Sequence, residues 1–241
     1  FKAYDIRGQV PDQLNEDVAY AIGIAYASFL GPERVVVGHD IRLSSPDLTK
    51  HLVEGLTDAG VEVTHIGQCG TEEIYFATEH FEMDGGIVVT ASHNPKDYNG
   101  MKLVREGSRP ISGDTGLDDI RKIAEEWLAG DRSRSVSRKK GSVTPLAHRD
   151  DFLDLLMTHL NLVTLKPLKI VVNAGNGAAG PVLLWITVCR GAGRGEAPAA
   201  AGRDACAAAS ASSSSPSGLN IASLPKVGAT PLSATQTLRP M

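Results

Sequence analysis

With 241 residues, 42% of them hydrophobic, the chain is long enough for one or two domains with a sizeable core. Its formal net charge of −4 and pI near 6 imply no general affinity for nucleic acid or anionic membranes, and no apolar run approaches the length of a membrane span. The cysteines, Cys69, Cys189 and Cys206, are sparse, odd in number and without metal-ligand spacing, which points to a reducing, cytoplasmic setting rather than a disulfide framework.

The chain opens with Phe1-Lys2-Ala3-Tyr4-Asp5-Ile6-Arg7-Gly8, without Met and without a signal-peptide pattern, so leading residues are expected to precede it. By itself this segment reads as a short polar turn in which Arg7 is solvated or ion-paired. Asn15 can cap a helix over about residues 16–30, with Val18, Ile22, Ala25 and Phe29 on one apolar face and Gly31-Pro32 as its stop. Arg34-Val35-Val36-Val37-Gly38 is a short buried strand. In the Gly38–Ser44 segment that follows, Asp40 and Arg42 can pair and brace a neighbouring loop. Ser45-Pro46-Asp47 reads as a helix start, with Ser45 as cap and Pro at the first position. Leu48, Leu52 and Leu56 give that helix its buried face, and Gly60 closes it. Val61 to Ile66 alternates like a strand, with His65 an ordinary strand residue. Thr71 is a cap for a third helix. Strand and helix alternate throughout, which predicts an α/β fold, a layered domain with a mixed sheet flanked by helices.

Gly86-Ile87-Val88-Val89 is a buried strand that runs into Thr90-Ala91-Ser92-His93-Asn94-Pro95-Lys96-Asp97-Tyr98-Asn99-Gly100-Met101-Lys102. Asn94, Pro95, Asn99 and Gly100 are turn formers. Ser92 is then placed at a strand end with its hydroxyl available, and His93, Lys96 and Lys102 bring donors and positive charge close by. A hydroxyl in that setting, with successive backbone N–H groups, suits a phosphoryl group. A plain surface turn uses the same residue types.

Met101 to Val104 reads as the next strand, and Thr115 or Asp114 as the cap of a helix carrying Leu117, Ile120, Ile123, Ala124 and Trp127 inward. Residues 130–142 are dense in Arg, Lys, Ser and Gly, and the basic run from Arg132 to Lys140, without interleaved aromatics, is better read as an exposed linker than as a nucleic-acid surface. Arg149 to Leu160 is an amphipathic helix with Phe152, Leu153, Leu156 and Leu160 inward. A strand at 167–172 enters the glycine-rich run 173–180, which lacks a Walker lysine and Rossmann spacing. Residues 190–241 have another character. They hold 13 Ala and 8 Ser, no Phe, Trp or Tyr, and five basic against two acidic residues. Such a composition cannot bury enough apolar surface to offset chain entropy. It reads as a disordered tail or as translation out of frame.

The string T-A-S-H-N-P-x-D-Y-N-G-x-K resembles the phosphoserine loop of the α-D-phosphohexomutases, in their phosphomannomutase/phosphoglucomutase branch. The opening F-x-A-Y-D-I-R-G, the G-x-D-x-R of residues 38–42, the G-T-E-E-I-Y-F-A of 70–77 and the G-N-G-x-A-G of 175–180 are similar to that family's patterns too. The resemblance covers residues 1 to about 182. It implies that 1–130 is the family's first domain, with the linker at 131–148, an incomplete second domain at 149–189 and the low-complexity tail beyond. It implies that Ser92 carries a phosphoryl group and passes it to and from a hexose phosphate, mannose 1- or 6-phosphate or a glucose phosphate, in the supply of GDP-mannose. Arg7, His93 and Lys102 then supply positive charge, with Lys102 or His93 as general acid or base, while Tyr4, Arg7, Asn94 and Lys102 contact substrate or phosphate. Mg²⁺ is implied as cofactor, meeting this chain through the phosphate on Ser92. No D-x-D-x-D string matches the family's metal loop, and the sugar-selecting and distal phosphate sites have no counterpart, so the chain alone is expected to be inactive. No nucleic-acid or membrane partner is expected. Two other readings stand beside this one: a serine hydrolase built on Ser92, which lacks the G-x-S-x-G elbow, and a non-catalytic fragment or pseudogene product.

Overall fold

Asn15 turns the chain into the first helix, α1 (Glu16–Leu30). Its side-chain oxygen accepts from the Val18 N–H at 3.0 Å, Glu16 and Asp17 sit in the first turn, and Gly31 at φ 62° closes the other end. The structure is a computed structural model that describes residues 1–131 and 139–159 together with Asn173, Gly177 and Ala179. The further elements are β1 (Ile6–Gln9), β2 (Arg34–His39), α2 (Ser45–Asp58), β3 (Glu62–Gln68), α3 (Thr71–His80), β4 (Gly85–Val89), β5 (Tyr98–Arg105), β6 (Arg109–Pro110), α4 (Leu117–Leu128), β7 (Val143–Pro145) and α5 (Arg149–Thr158). The expected strand at 167–172, the glycine-rich run apart from the three residues just named, Leu160 and the tail lie outside the described residues.

The strands form one mixed sheet in the order β1-β5-β4-β2-β3-β7, with β6 paired to β5. The pairs β2–β3, β2–β4 and β3–β7 are parallel; β4–β5, β1–β5 and β5–β6 are antiparallel. Both faces are covered, so β2 and β4 are continuous apolar runs. Alternate residues serve opposite sides. Val35, Val37, Ile87 and Val89 pack with α1, α2 and α4, whereas Val36 and Val88 pack with Ile74, Phe76 and Ala77 of α3 and with Phe152 of α5. The α/β architecture with helices on a mixed sheet is therefore as expected. Two glycines let α1 and α2 touch backbone to backbone. A Cβ on Gly23 would lie 2.4 Å from the Leu52 carbonyl oxygen, and one on Gly55 would lie 2.3 Å from that of Tyr20.

Several local expectations are corrected. The Phe1–Gly8 segment is not a turn throughout, because from Ile6 it pairs antiparallel with β5. Asn99 and Gly100 are not turn residues but lie inside β5, where Asn99 is fully buried and its amide donates to the Ser44 and Ser45 hydroxyls at 2.8 and 3.0 Å. Ser44, not Ser45, is the residue before α2 and makes no side-chain cap bond, while Ser45 is the first helical residue and gives its hydroxyl to Asp40. Gly70 occupies the cap position of α3 in place of Thr71, with the Glu73 carboxylate accepting from its N–H at 2.8 Å. Neither Asp114 nor Thr115 caps α4; both belong to a 3₁₀ turn, and Gly116 precedes the helix. Val143 to Pro145, within the stretch read as a linker, add a strand beside β3. On α5 only Phe152 and Leu153 are buried, and Leu156 is 39% exposed.

Candidate active site

The serine loop leaves the sheet at the end of β4, whose five residues are all buried. Thr90 and Ala91 intervene, so Ser92 stands three residues beyond the strand rather than at its last position. Its backbone has φ 51°, in the left-handed region that an L residue other than glycine enters at a cost of about 1–2 kcal/mol. Two residues of the β2–α2 connection hold it there. The Asp40 carboxylate accepts from the Thr90 hydroxyl at 2.9 Å, and the Thr90 oxygen accepts from the Ser92 N–H at 3.0 Å. The other Asp40 oxygen takes the Arg42 N–H and the Ser45 hydroxyl at 2.9 and 2.5 Å. The Arg42 guanidinium donates to four loop carbonyls: Ser92 at 3.0 Å, Asn94 at 2.5 Å, Pro95 at 2.6 Å and Tyr98 at 2.9 Å. The expected Asp40–Arg42 brace is present, and it grips the serine loop directly.

The Ser92 hydroxyl is exposed and lies 3.3 Å from Nδ1 of His93. Asn94 folds the loop back, its side-chain amide donating to the Ala91 carbonyl at 2.6 Å. Its side-chain oxygen accepts from Nη1 of Arg7 at 3.3 Å, so β1 reaches the loop. Arg7 also donates to Asp5 at 2.6 Å, and the Lys102 ammonium lies 3.5 Å from the same carboxylate oxygen. β1 can approach because Gly100 has no side chain: a Cβ there would fall 2.1 Å from the Ile6 carbonyl oxygen. Ser92, His93, Asn94, Arg7 and Lys102 thus form one connected region, through Asn94 and Asp5. Tyr4 is 75% exposed on the segment before β1 and stands outside this bonded network.

A cleft of about 840 Å³ runs past Ser92, lined among others by Arg42, Ser44, Gly70, Thr71, Asn94 and Lys96. Cys69 also lines it, but burial, and next the Glu73 carboxylate, push its thiol far up, so it remains protonated. The chemistry available here is an exposed serine hydroxyl with an imidazole beside it, Arg42 and Lys96 on the cleft wall, and Arg7 and Lys102 joined to the loop through Asn94 and Asp5. A serine hydrolase needs its base oriented by an acid; among the described residues no carboxylate is hydrogen-bonded to His93. Among the described residues, no group of three or more His, Cys, Asp or Glu side chains could hold a metal ion. Of the nearby acids, Asp40 and Asp5 are already engaged with donors and cations, and Asp97, on the cleft wall, accepts from the Gln9 amide at 3.0 Å.

Asp5 and Thr90 are site residues that sequence reasoning passed over. Asp5 lies in the bend just before β1, two positions from Arg7, and its meeting with Arg7 and Lys102 emerges only once β1 is seen to pair with β5.

Residues 1–130 match the family described as phosphoglucomutase/phosphomannomutase, alpha/beta/alpha domain I. The chain belongs to that family. A phosphomannomutase of Salmonella montevideo is 57% identical over 183 residues, covering 76% of this chain and 40% of the relative. The phosphohexose mutases of Xanthomonas campestris pv. campestris strain B100 are 53% identical over 184 residues, with the same coverage of 76% and 40%. Among solved structures, a phosphoglucomutase/phosphomannomutase family protein from Burkholderia thailandensis superposes with a TM-score of 0.64 at 38% identity, over 75% of this chain and 40% of that one. The phosphohexomutase resemblance seen in the serine loop is thus carried by the whole first domain. The chain spans about 40% of the length of the curated relatives it matches.

Proposed function

We propose that this chain is the phosphoserine-bearing part of a cytoplasmic phosphohexomutase that interconverts mannose 6-phosphate and mannose 1-phosphate, and glucose phosphates as further substrates. The observation that carries the reading is the serine loop itself: an exposed Ser92 hydroxyl on a left-handed residue, pinned by Arg42 and Asp40 beside a cleft. A loop held that firmly presents its oxygen in one place, which is what in-line phosphoryl transfer requires. In this reading the Ser92 oxygen gives its phosphoryl group to the free hydroxyl of a hexose phosphate, forming a bisphosphate. It then takes back the other phosphoryl group. His93, 3.3 Å away, or Lys102 exchanges the proton with the sugar hydroxyl. Arg7 and Lys102 stabilise the charge spread over the phosphoryl oxygens, and Asn94 holds Arg7 against the loop. The domain reading proposed with it takes 1–130 as the first domain, 131–148 as the connection and 149–189 as the beginning of the second, although β7 joins the first domain's sheet and Phe152 of α5 packs against it.

Mg²⁺ in this family would offset the charge of the transferred group. The described residues do not fit it by themselves, since they bring no three ligating side chains together and Asp5 and Asp40 are engaged by Arg7, Lys102, Arg42 and hydroxyls. No step is assigned to it, and net mutase turnover by this chain alone is expected to be negligible.

The test is peptide mapping of the purified chain after incubation with mannose 1,6-bisphosphate. A phosphoryl group on Ser92, absent in Ser92→Ala, supports the reading. Labelling of Ser92 by a fluorophosphonate favours a hydrolase instead, and neither modification favours a non-catalytic fragment.

A further inference from the structure

Asp5 has no part in the steps above, yet it sits between the two cations that do. It is only 9% exposed. One of its oxygens, Oδ2, takes Nη2 of Arg7 at 2.6 Å and stands 3.5 Å from Nζ of Lys102. The sheet register explains the meeting. Ile6 pairs with Met101 and Arg7 with Gly100, and Asp5, in the bend just before β1, falls beside Lys102 at that end of the pairing. Opposite charges set side by side attract. Two cations brought together this way would repel each other without the carboxylate, and more strongly where water is partly excluded. The hold also reaches the serine loop, because the second arm of Arg7 donates to Asn94, and Asn94 is tied to Ala91.

We propose that Asp5 is a positioning residue that keeps Arg7 and Lys102 in reserve: its carboxylate occupies both cations until a phosphate group arrives, and the phosphate then replaces it. The ligand class is a phosphate or phosphomonoester dianion, so the proposal rests on reading the Ser92 loop as a phosphoryl carrier. A dianion offers several oxygens and a larger charge than one carboxylate, so it can draw both cations away. Singly charged anions, by contrast, meet a site whose charge the carboxylate has already lowered to that of a single cation. Asp5 thereby sets a threshold that weakens capture of free anions and favours the phosphoryl group fixed on the loop.

The experiment is a titration of the unphosphorylated chain with inorganic phosphate at low ionic strength, followed by NMR of the Asp5 carboxyl carbon and the Arg7 guanidinium. In the wild-type chain both signals are expected to move along one saturable isotherm. Asp5→Asn, which keeps the shape and removes the charge, is expected to bind phosphate at least about fivefold more tightly, because two cations lose their internal partner. That gain should vanish when Arg7→Met is added, and Asp5→Glu should return affinity to the wild-type level. An Asp5 carboxyl unmoved as phosphate saturates the wild-type chain overturns the proposal, and this arm does not depend on how any variant folds. Equal or weaker phosphate binding by a folded Asp5→Asn chain overturns it too. Uptake of a phosphoryl group by Ser92 is read separately. Its absence, with the phosphate results as expected, removes the phosphohexomutase reading and the selection for a loop-borne phosphoryl group, and leaves only the competition of Asp5 with free phosphate.

Discussion

Arg42 donates from Nη2 to the carbonyl oxygen of Ser92 at 3.0 Å, although the two residues lie on different strand-to-loop connections. The same guanidinium reaches three further carbonyls of the loop. A planar fork is the side chain that can satisfy four acceptors arranged around it. The left-handed backbone of Ser92 is therefore imposed from β2 and its following connection, and the geometry of this serine is set outside its own loop.

Arg42→Lys is accordingly expected to loosen the loop without unfolding the sheet. A lysine ammonium has three donors and no plane, so at least one carbonyl loses its partner. The expected cost is about 2 kcal/mol, in the range of hydrogen bonds to a charged group. Hydrogen exchange should accelerate at the amides of residues 91–98 while those of Ile87 to Val89 stay protected. Equal protection of the loop in the variant and the parent would show that Arg42 does not hold it.

How much of this was legible follows from where each signal lies along the chain. α1 announced itself through Asn15, its apolar spacing and Gly31-Pro32, because cap, periodicity and stop are all local. β2 and β4 were equally plain as apolar runs. β1 was not, since Ile6 and Gly8 are its only buried residues and its pairing with β5 is made nearly a hundred residues away. Asn99 and Gly100 carry turn chemistry, but here Asn99 uses its amide to hold Ser44 and Ser45, and Gly100 admits the Ile6 carbonyl. Tertiary demands overrode local preference. At the site, the serine and its neighbouring cations were visible in the string of residues 90–102. The bonds from Arg42 to four carbonyls and the shared oxygen of Asp5 were not, because nothing in residue spacing encodes contacts between separate strands.

The glycine crossing of α1 and α2 makes a stability prediction. Gly55→Val introduces a branched side chain where even a Cβ meets the Tyr20 carbonyl at 2.3 Å. The helices must separate, opening the packing of Ile24 and Leu52 behind them. Overpacking of this kind costs about 1–3 kcal/mol. Gly31→Ala is the useful comparison: it meets no atom within 4 Å and carries only the strain of φ 62°, about 1 kcal/mol. Urea unfolding should rank Gly55→Val as the more damaging, and the reverse order would mean that the helices part freely.

Acid sensitivity centres on Glu73 and His148, 1% and 2% exposed in their side chains and 2.6 Å apart. Burial by itself would raise the Glu73 carboxyl. The bonds from His148 and the Gly70 N–H, with the charge of Arg149, outweigh it and hold the carboxyl below its ordinary value. A depressed carboxyl contributes stability that is present above its unfolded value and is lost as pH falls through the folded one. The loss therefore begins below about 4.3, the ordinary glutamate value. Urea midpoints measured from pH 7 down to pH 3 should fall more steeply for the wild-type chain than for Glu73→Gln, which should start lower at pH 7. Parallel curves would remove Glu73 from the acid response.

The last prediction concerns chemistry and needs a complete enzyme, because the chain spans about 40% of its relatives. Residues 1–182 can replace the corresponding part of the Salmonella montevideo phosphomannomutase, which is 57% identical over the shared region. The chimera is expected to interconvert mannose phosphates if the first domain supplies what the proposed relay asks of it. Ser92→Ala should abolish turnover, since no neighbouring side chain can take the covalent step. Lys102→Ala removes one electrostatic donor and should lower kcat by about 10²–10³, equivalent to about 2.7–4 kcal/mol. Its fold should persist, because Lys102 is partly exposed and Asp5 keeps its closer ion pair with Arg7. Steady-state kinetics with circular dichroism on the three proteins measures both quantities. A chimera that keeps its turnover after Ser92→Ala would withdraw the assignment of the loop, and a Lys102→Ala chimera with unchanged kcat would withdraw the lysine alone.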